Sequence, residues 1–215
     1  MSCFWDTETC SLPESELRAI MPPFDPDSVK TGNIKNPELI AAKIADSKAA
    51  YEADYMENAA LDPLTGRVLC IGLLLGDKFT LLDLPDEWQL LSEFWLRYVI
   101  PGRRMIGFNV FLFDLPFLIR RSWKHSIQIP IGLRKGRYWN DDFVDLREQW
   151  QLGDRQAHGS LDSIAKHLGV GAKTGTGKDF AKLWETDRQK AVDYLKNDLR
   201  LTAAIAKRMC VANIE

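Results

Sequence analysis

Four carboxylates stand at separate places in this 215-residue chain: Asp6 and Glu8 near the start, Asp114 in the middle and Asp198 near the end, with Tyr194 four residues before the last. Like charges repel and raise one another's pKa, so a fold gains nothing structural by collecting such groups at one point. Two divalent cations would remove that objection. Paired metal ions are in turn a standard device for phosphodiester hydrolysis, clamping the attacking and leaving oxygens. The chemistry therefore depends on whether these distant stretches converge.

Asp6 and Glu8 are two apart in an apolar strand pattern, so both side chains leave one face and can share an ion. With 30 acids in the chain, one Asp-x-Glu is expected by chance, and the strand setting is what lifts this one. Asp114 opens a helix with Pro116 in its first turn, which reads equally well as an ordinary N-cap or as a metal-site residue with one oxygen free. Tyr194 and Asp198 are one helical turn apart at the edge of a buried face, where an unpaired carboxylate is costly. A solvated Asp198 neutralised by Lys196 or Arg200 is the plain alternative. Tyr138 and Asp142 repeat the Tyr-x-x-x-Asp spacing, but on a strand they stand about 13 Å apart and cannot act together.

The elements that must position these groups read as an α/β fold with a mixed sheet. Residues 2–7 form a first strand, and 67–75 and 78–84 a hairpin turning at Gly76-Asp77. Apolar spacing predicts a helix over 87–99, then a strand over 105–108, a helix over 114–123 and a strand over 138–146. Ser160 caps a short helix that Gly169 stops. A last helix begins at Thr186, with a Thr186/Gln189 capping box, and runs to Met209 on a stripe of Val192, Leu195, Leu199, Thr202, Ala206 and Met209. Residues 11–62 interrupt this economy with a Pro/Asp-rich loop and a helix over 37–58 carrying five acids against two lysines. That composition argues against phosphate contact. The insertion reads as a lid or partner-docking element, or equally as extra surface packing.

Net charge is −2, so the chain is no general polyanion binder. Yet between residues 103 and 137 lie Arg103, Arg104, Arg120, Arg121, Lys124, Arg134, Lys135 and Arg137, with Asp114 the only acid, and such a stretch beside a carboxylate suits phosphates. No apolar run reaches membrane-spanning length. Cys3, Cys10, Cys70 and Cys210 lack zinc spacing and fit reduced thiols in a cytoplasm. AKTGTGKD, residues 172–179, imitates a phosphate-binding loop, but it follows a helix and has Asp179 where a Ser or Thr would meet Mg²⁺. It reads as a flexible surface loop from which Lys173 or Lys178 reaches a nucleic-acid backbone. His125, His158 and His167 have no partners at ligand spacing.

In order, FWDTET at 4–9, N-x-x-x-F-D from Asn109 to Asp114 and Y-x-x-x-D from Tyr194 to Asp198 resemble the DEDD (DnaQ-like) superfamily of 3′–5′ exonucleases. Tyrosine before the last Asp is similar to the DEDDy branch, which includes the proofreading domain of B-family DNA polymerases, and GSLDSIAKHLGV at 159–170 is similar to that group too. The resemblance covers residues 1–10 and 66–210 and implies a ribonuclease H-like fold in one exonuclease domain, with the insertion at 11–62. It implies that Asp6, Glu8 and Asp198 hold one Mg²⁺ or Mn²⁺, and that Asp6 bridges to a second ion held by Asp114. Tyr194 would orient the attacking water, and Thr7, Asn109 and Phe113 would meet the terminal nucleotides. The implied substrate is a single-stranded or frayed DNA 3′ end cut to nucleoside monophosphates, with an exoribonuclease or a non-catalytic binding module as rivals. With no polymerase region following, a stand-alone monomer is expected, and the GNIKNPELIAAKI segment is similar to small phage- or prophage-type nucleases. Val110 replaces a glycine frequent in the polymerase group, which bears on substrate preference.

Overall fold

A computed structural model describes residues 2–130, 142–154 and 156–211. In chain order the elements are β1 (Ser2–Ser11), α1 (Glu14–Ile20), α2 (Pro37–Asn58), β2 (Gly66–Leu75), β3 (Lys78–Leu82), α3 (Glu87–Glu93), β4 (Arg104–Gly107), α4 (Asp114–Lys124), β5 (Phe143–Asp145), α5 (Leu146–Gln151), α6 (Leu161–His167), α7 (Phe180–Thr186) and α8 (Arg188–Arg208). The chain divides into two compact units, one of Met1–Thr9 with Val68–Glu215 and one of Cys10–Arg67.

The first unit carries a five-stranded sheet of order β3-β2-β1-β4-β5. β1 and β4 run parallel with Phe4 opposite Ile106, β4 and β5 run parallel with Gly107 opposite Asp145, and β2 and β3 form the expected antiparallel hairpin. Gly76, at φ +56°, supplies the left-handed residue that this turn needs. Alternation along β1 assigns the two faces. Cys3 and Trp5 pack with Leu91, Phe94, Leu115 and Leu118 of the α3–α4 side, while Phe4 packs with Ile164, Leu199 and Ile205 of the α6–α8 side. Asp6 and Glu8 share the parity of Phe4, so they face α8.

Close approach of α8 to the sheet depends on Gly72. A Cβ there would stand 2.8 Å from Leu195 Cγ and 2.9 Å from Leu199 Cδ1, so the bare backbone of β2 is the floor on which α8 rests. On the opposite face, Glu87 ties three elements together. Its carboxylate receives Arg121 Nε at 2.9 Å, lies 2.8 Å from His125 Nε2 and accepts Val68 N–H at 2.8 Å. Burial alone would raise its pKa, but these donors outweigh that and hold it below the usual range. Arg121 is thus a buried clamp of the fold, which removes it from the expected phosphate-binding set.

Several boundaries differ from the expectations. β1 continues to Ser11 rather than stopping near residue 7, because ladder pairing carries polar residues as readily as apolar ones. Thr186 closes α7, a helix not anticipated, with its hydroxyl on Lys182 O, and Asp187 caps α8 by accepting Lys190 N–H at 3.2 Å. The buried face of α8 is broader than the stripe read from the sequence, taking in Ala191, Tyr194, Asp198, Leu201 and Ile205, while Val192 and Met209 are only half-buried. The strand expected over 138–146 is found at 143–145, and its first part, Tyr138 included, lies outside the described residues, as do Arg134, Lys135 and Arg137.

The second unit is thin. Leu12, Leu17 and Ala59 form its buried cluster, joined by Tyr55 and Met56. Asn36 caps α2 by accepting Glu38 N–H at 2.9 Å, with Pro37 as its first residue, yet no residue of that 22-residue helix is buried. Tyr51 anchors it locally, donating to Pro22 O at 2.9 Å and stacking near Phe24. Among the described residues no helix is long and apolar enough to cross a membrane.

Candidate functional site

Three elements of the first unit bring the expected carboxylates together. Asp6 and Glu8 come from the middle of β1, Asp114 from the start of α4 and Asp198 from the middle of α8. Burial is the largest cause raising the pKa of each, and for Asp6, Glu8 and Asp114 a neighbouring acid comes next. Asp6 is pushed up to about 7 by burial and then by Asp198, with Lys173 and the Thr7 backbone pulling the other way. Glu8 is held well above the usual range by burial, then by Asp6, Asp114 and Asp198, and Asp114 by burial and then Asp6. Asp198 is raised by burial, although Lys173 opposes the shift. Mutual repulsion of this kind requires proximity, so the four groups form one electrostatic cluster.

Asp114 does not cap its helix. Phe113 occupies the N-cap position and makes no side-chain cap bond, whereas the Asp114 carboxylate reaches β1 and accepts Thr7 N–H at 3.0 Å. This bond fixes Asp114 against the strand that carries Asp6 and Glu8. Thr7 Oγ1 is itself buried without a hydrogen-bond partner.

The loop before α4 is built by a residue that the sequence reading missed. Asp145, at the end of β5, accepts Asn109 N–H at 2.8 Å, Phe111 N–H at 3.0 Å and Arg147 N–H at 2.9 Å. Asn109 sits at φ +64°, a conformation Asn tolerates, and its side-chain oxygen accepts from Arg147 at 2.7 Å. Phe113 remains half-buried with its ring 5.6 Å from Phe117. An acid ending a strand and opening a helix was the available signal for Asp145.

Lys173, read from the sequence only as a nucleic-acid contact on a flexible loop, sits beside Asp198 instead. The 172–179 segment is no free surface loop: Lys173 N–H donates to Asp162 at 2.9 Å, Asn197 donates to Ala172 O at 3.2 Å, and Gly175 lies so near Tyr194 that a Cβ would be 3.2 Å from its ring. Lys173 Nζ reaches Asp198 Oδ2 at 2.5 Å and lies 5.0 Å from the centre of the Tyr194 ring. Lys173, and not Lys196 or Arg200, is therefore the counter-ion of Asp198; Lys196 lies over Phe79 instead. Tyr194 is buried, and burial together with Asp198 and Glu8 drives its hydroxyl far above the ordinary tyrosine range, so it stays protonated. A cavity of about 600 Å³ opens beside it, lined by Thr174, Thr176, Asp179, Phe180 and Asn197 among others.

The donor set suits a hard divalent cation. Asp198 Oδ1 is buried with no hydrogen-bond partner, an acceptor whose satisfaction calls for a cation or a donor. Cys70 approaches Glu8 and Asp6, but burial first and those acids next hold its thiol protonated, so it offers no soft thiolate. With Asp198 turned to Lys173 and Asp114 to Thr7, no group of three His, Cys, Asp or Glu side chains among the described residues is disposed as a finished ligand cage.

A family model described as a predicted 3′–5′ exonuclease related to the exonuclease domain of PolB matches residues 67–212. The chain belongs to that family. Its matched span contains Asp114, Tyr194 and Asp198, and Asp6 and Glu8 precede it. An uncharacterized protein of Methanocaldococcus jannaschii is 30% identical over 167 residues, covering 71% of this chain and 90% of the relative. Among solved structures, the family B DNA polymerase from the hyperthermophilic archaeon Pyrobaculum calidifontis superposes with a TM-score of 0.62 at 15% identity. That match covers 97% of this chain and 24% of the polymerase, so the chain spans about a quarter of the polymerase's length. The fold of this exonuclease-family chain is thus the expected α/β, ribonuclease H-like one.

Proposed function

We propose that the chain is a metal-dependent 3′–5′ exonuclease that removes nucleoside monophosphates from single-stranded or frayed DNA ends. The observation that carries this reading is the electrostatic cluster of Asp6, Glu8, Asp114 and Asp198, drawn from three elements, with Tyr194 beside it. Asp6, Glu8 and Asp198 would hold one Mg²⁺ or Mn²⁺, and Asp6 and Asp114 the other. Such ions, when bound, supply charge neutralisation and a clamp on the attacking and leaving oxygens.

The chain's own residues do the rest. Tyr194 stays protonated and so orients the attacking water by hydrogen bonding instead of removing its proton. Lys173, adjacent to Asp198, neutralises charge at the reacting phosphate once Asp198 is engaged elsewhere. Asn109 and Phe113, on the loop held by Asp145, position the terminal nucleotides, with the half-exposed Phe113 ring as a base platform. Water forms the new P–O bond and gives up a proton to the surrounding solvent, the bond from phosphorus to the upstream 3′-oxygen breaks, and that oxygen takes up a proton as the new 3′-hydroxyl, so one water is consumed for each bond cut.

The test is a time course on 5′-labelled single-stranded DNA and matched RNA with Mg²⁺, Mn²⁺ or EDTA. A ladder shortening from the 3′ end is expected, lost with EDTA and reduced about 10³-fold or more in Asp198→Ala. Products from RNA alone would transfer the activity to ribonucleic acid, and no product from either polymer would leave the family fold serving as a binding module.

A further inference from the structure

Helix α4 begins in the site and carries an exposed face away from it. Asp114 is its first residue, bound to Thr7, and its buried side is Leu115, Phe117, Leu118, Ile119, Arg121 and Ser122. Solvent meets the remaining stripe, from Leu112 in the preceding loop through the half-exposed Pro116 to Arg120, Trp123 and Lys124. These positions recur at helical spacing, so they form one continuous path along the helix.

The composition of that path is unusual for a solvated face. Trp123 is 56% exposed. Arg120 and Lys124, one turn apart, flank it, and neither pairs with a carboxylate among the described residues. After Asp114 the helix contains no acid at all. A large exposed indole between two exposed cations matches single-stranded nucleic acid, whose bases stack on aromatic faces and whose phosphates seek Lys and Arg.

We propose that the outer face of α4, comprising Arg120, Trp123 and Lys124, is a track for the substrate strand upstream of the 3′ end being cut. The track rests on the exonuclease reading and adds to it where the rest of the polymer lies. Nine residues separate Asp114 from Trp123, a rise of about 14 Å along the helix. At the roughly 3.4 Å spacing of stacked nucleotides the indole would meet a base no more than about four nucleotides from the site. The protein should therefore distinguish substrates by length. A dinucleotide cannot reach the track, whereas an oligonucleotide of about ten residues covers it.

The test compares wild type, Trp123→Ala, Trp123→Phe and the double variant Arg120→Glu/Lys124→Glu. Two readouts are used: the ratio of kcat/KM on a labelled decanucleotide to that on a dinucleotide, and anisotropy of the labelled decanucleotide in EDTA. The expected result is a ratio about tenfold or more lower in Trp123→Ala and restored in Trp123→Phe, with binding weakened in parallel. The double variant should also reduce the dependence of log affinity on log salt by about 0.7 for each lost phosphate contact. An unchanged ratio and unchanged binding in Trp123→Ala and the double variant would overturn the track and leave the face to a protein partner. If wild type cleaves nothing, the exonuclease reading fails, and the anisotropy arm alone decides the track: binding that depends on these residues upholds it, and no binding by wild type overturns it.

Discussion

The two compact units differ most in how much of their sequence is fixed by packing. In the sheet-bearing unit, one face of α8 buries nine residues, among them Tyr194 and Asp198, and even a polar residue such as Ser122 is buried with its hydroxyl accepting from Trp95 at 2.7 Å. In the other, α2 runs for 22 residues without fully burying one, and apart from Tyr55 and Met56 against the small cluster its contacts include surface bonds such as Lys43 to Lys30 O. Chemistry that needs side chains held within fractions of an ångström can be placed only in the first kind of environment. The second kind can change its surface at little cost to folding.

Predictions can break that contrast. The largest expected effect is at Leu195, which lies over Gly72 in the first unit: Leu195→Ala should cost about 2–5 kcal/mol in chemical denaturation and should lower activity as α8 loosens. Next comes the carboxylate cluster without metal. Asp6 titrates near 7 when folded and near 4 when unfolded, so the folded state binds the extra proton between those values. Its contribution to stability is then present below about pH 4 and lost as pH rises through about 7. In EDTA the melting temperature should therefore fall between pH 5 and pH 8, and Mg²⁺ should reverse the fall. Asp6→Asn should stabilise the metal-free protein at pH 8 by about 1–3 kcal/mol, a figure reduced for the partial exposure of the side chain, while abolishing cleavage. Removing the knot behind the Asn109 loop, in Asp145→Asn, should lower kcat with little change in the length preference of the substrate, since Asp145 acts through the loop and touches no nucleotide. The smallest effect is expected in the second unit, where Tyr51→Phe deletes the bond to Pro22 O and should cost about 0.5–1.5 kcal/mol. If it proved as damaging as Leu195→Ala, the two units would not differ in the way described.

Local signals made most of the fold readable. The hairpin at Gly76, the Pro37 start of α2 and the Ser160 cap, whose partner proves to be Ser163, each involve residues within a few positions of one another. What could not be read depends on partners far along the chain. Arg121 looked available to phosphate because Glu87, 34 residues earlier, is invisible to a local pattern. Asp114 looked like a cap because the amide that takes its oxygen belongs to Thr7, 107 residues away. Lys173 was hidden in a segment resembling a phosphate loop, and only the fold shows that its partner is Asp198. Thr186 lost the cap to Asp187 through a competition between neighbours that patterns resolve poorly. The candidate residues themselves were legible because three short motifs kept their order, while the groups that hold them in place carry no motif.

Gly72 shows where damage could hide. The residue carries no charge, touches no nucleotide and lies under a helix in the middle of β2, yet the smallest side chain there would press on Leu195 and Leu199. Lifting that helix by even part of an ångström would move the oxygen of Asp198 away from those of Asp6 and Glu8. A catalogue of inactive variants for this chain should therefore include a seemingly innocent alanine at the sheet's surface, recognisable because it would silence cleavage while the protein still folds.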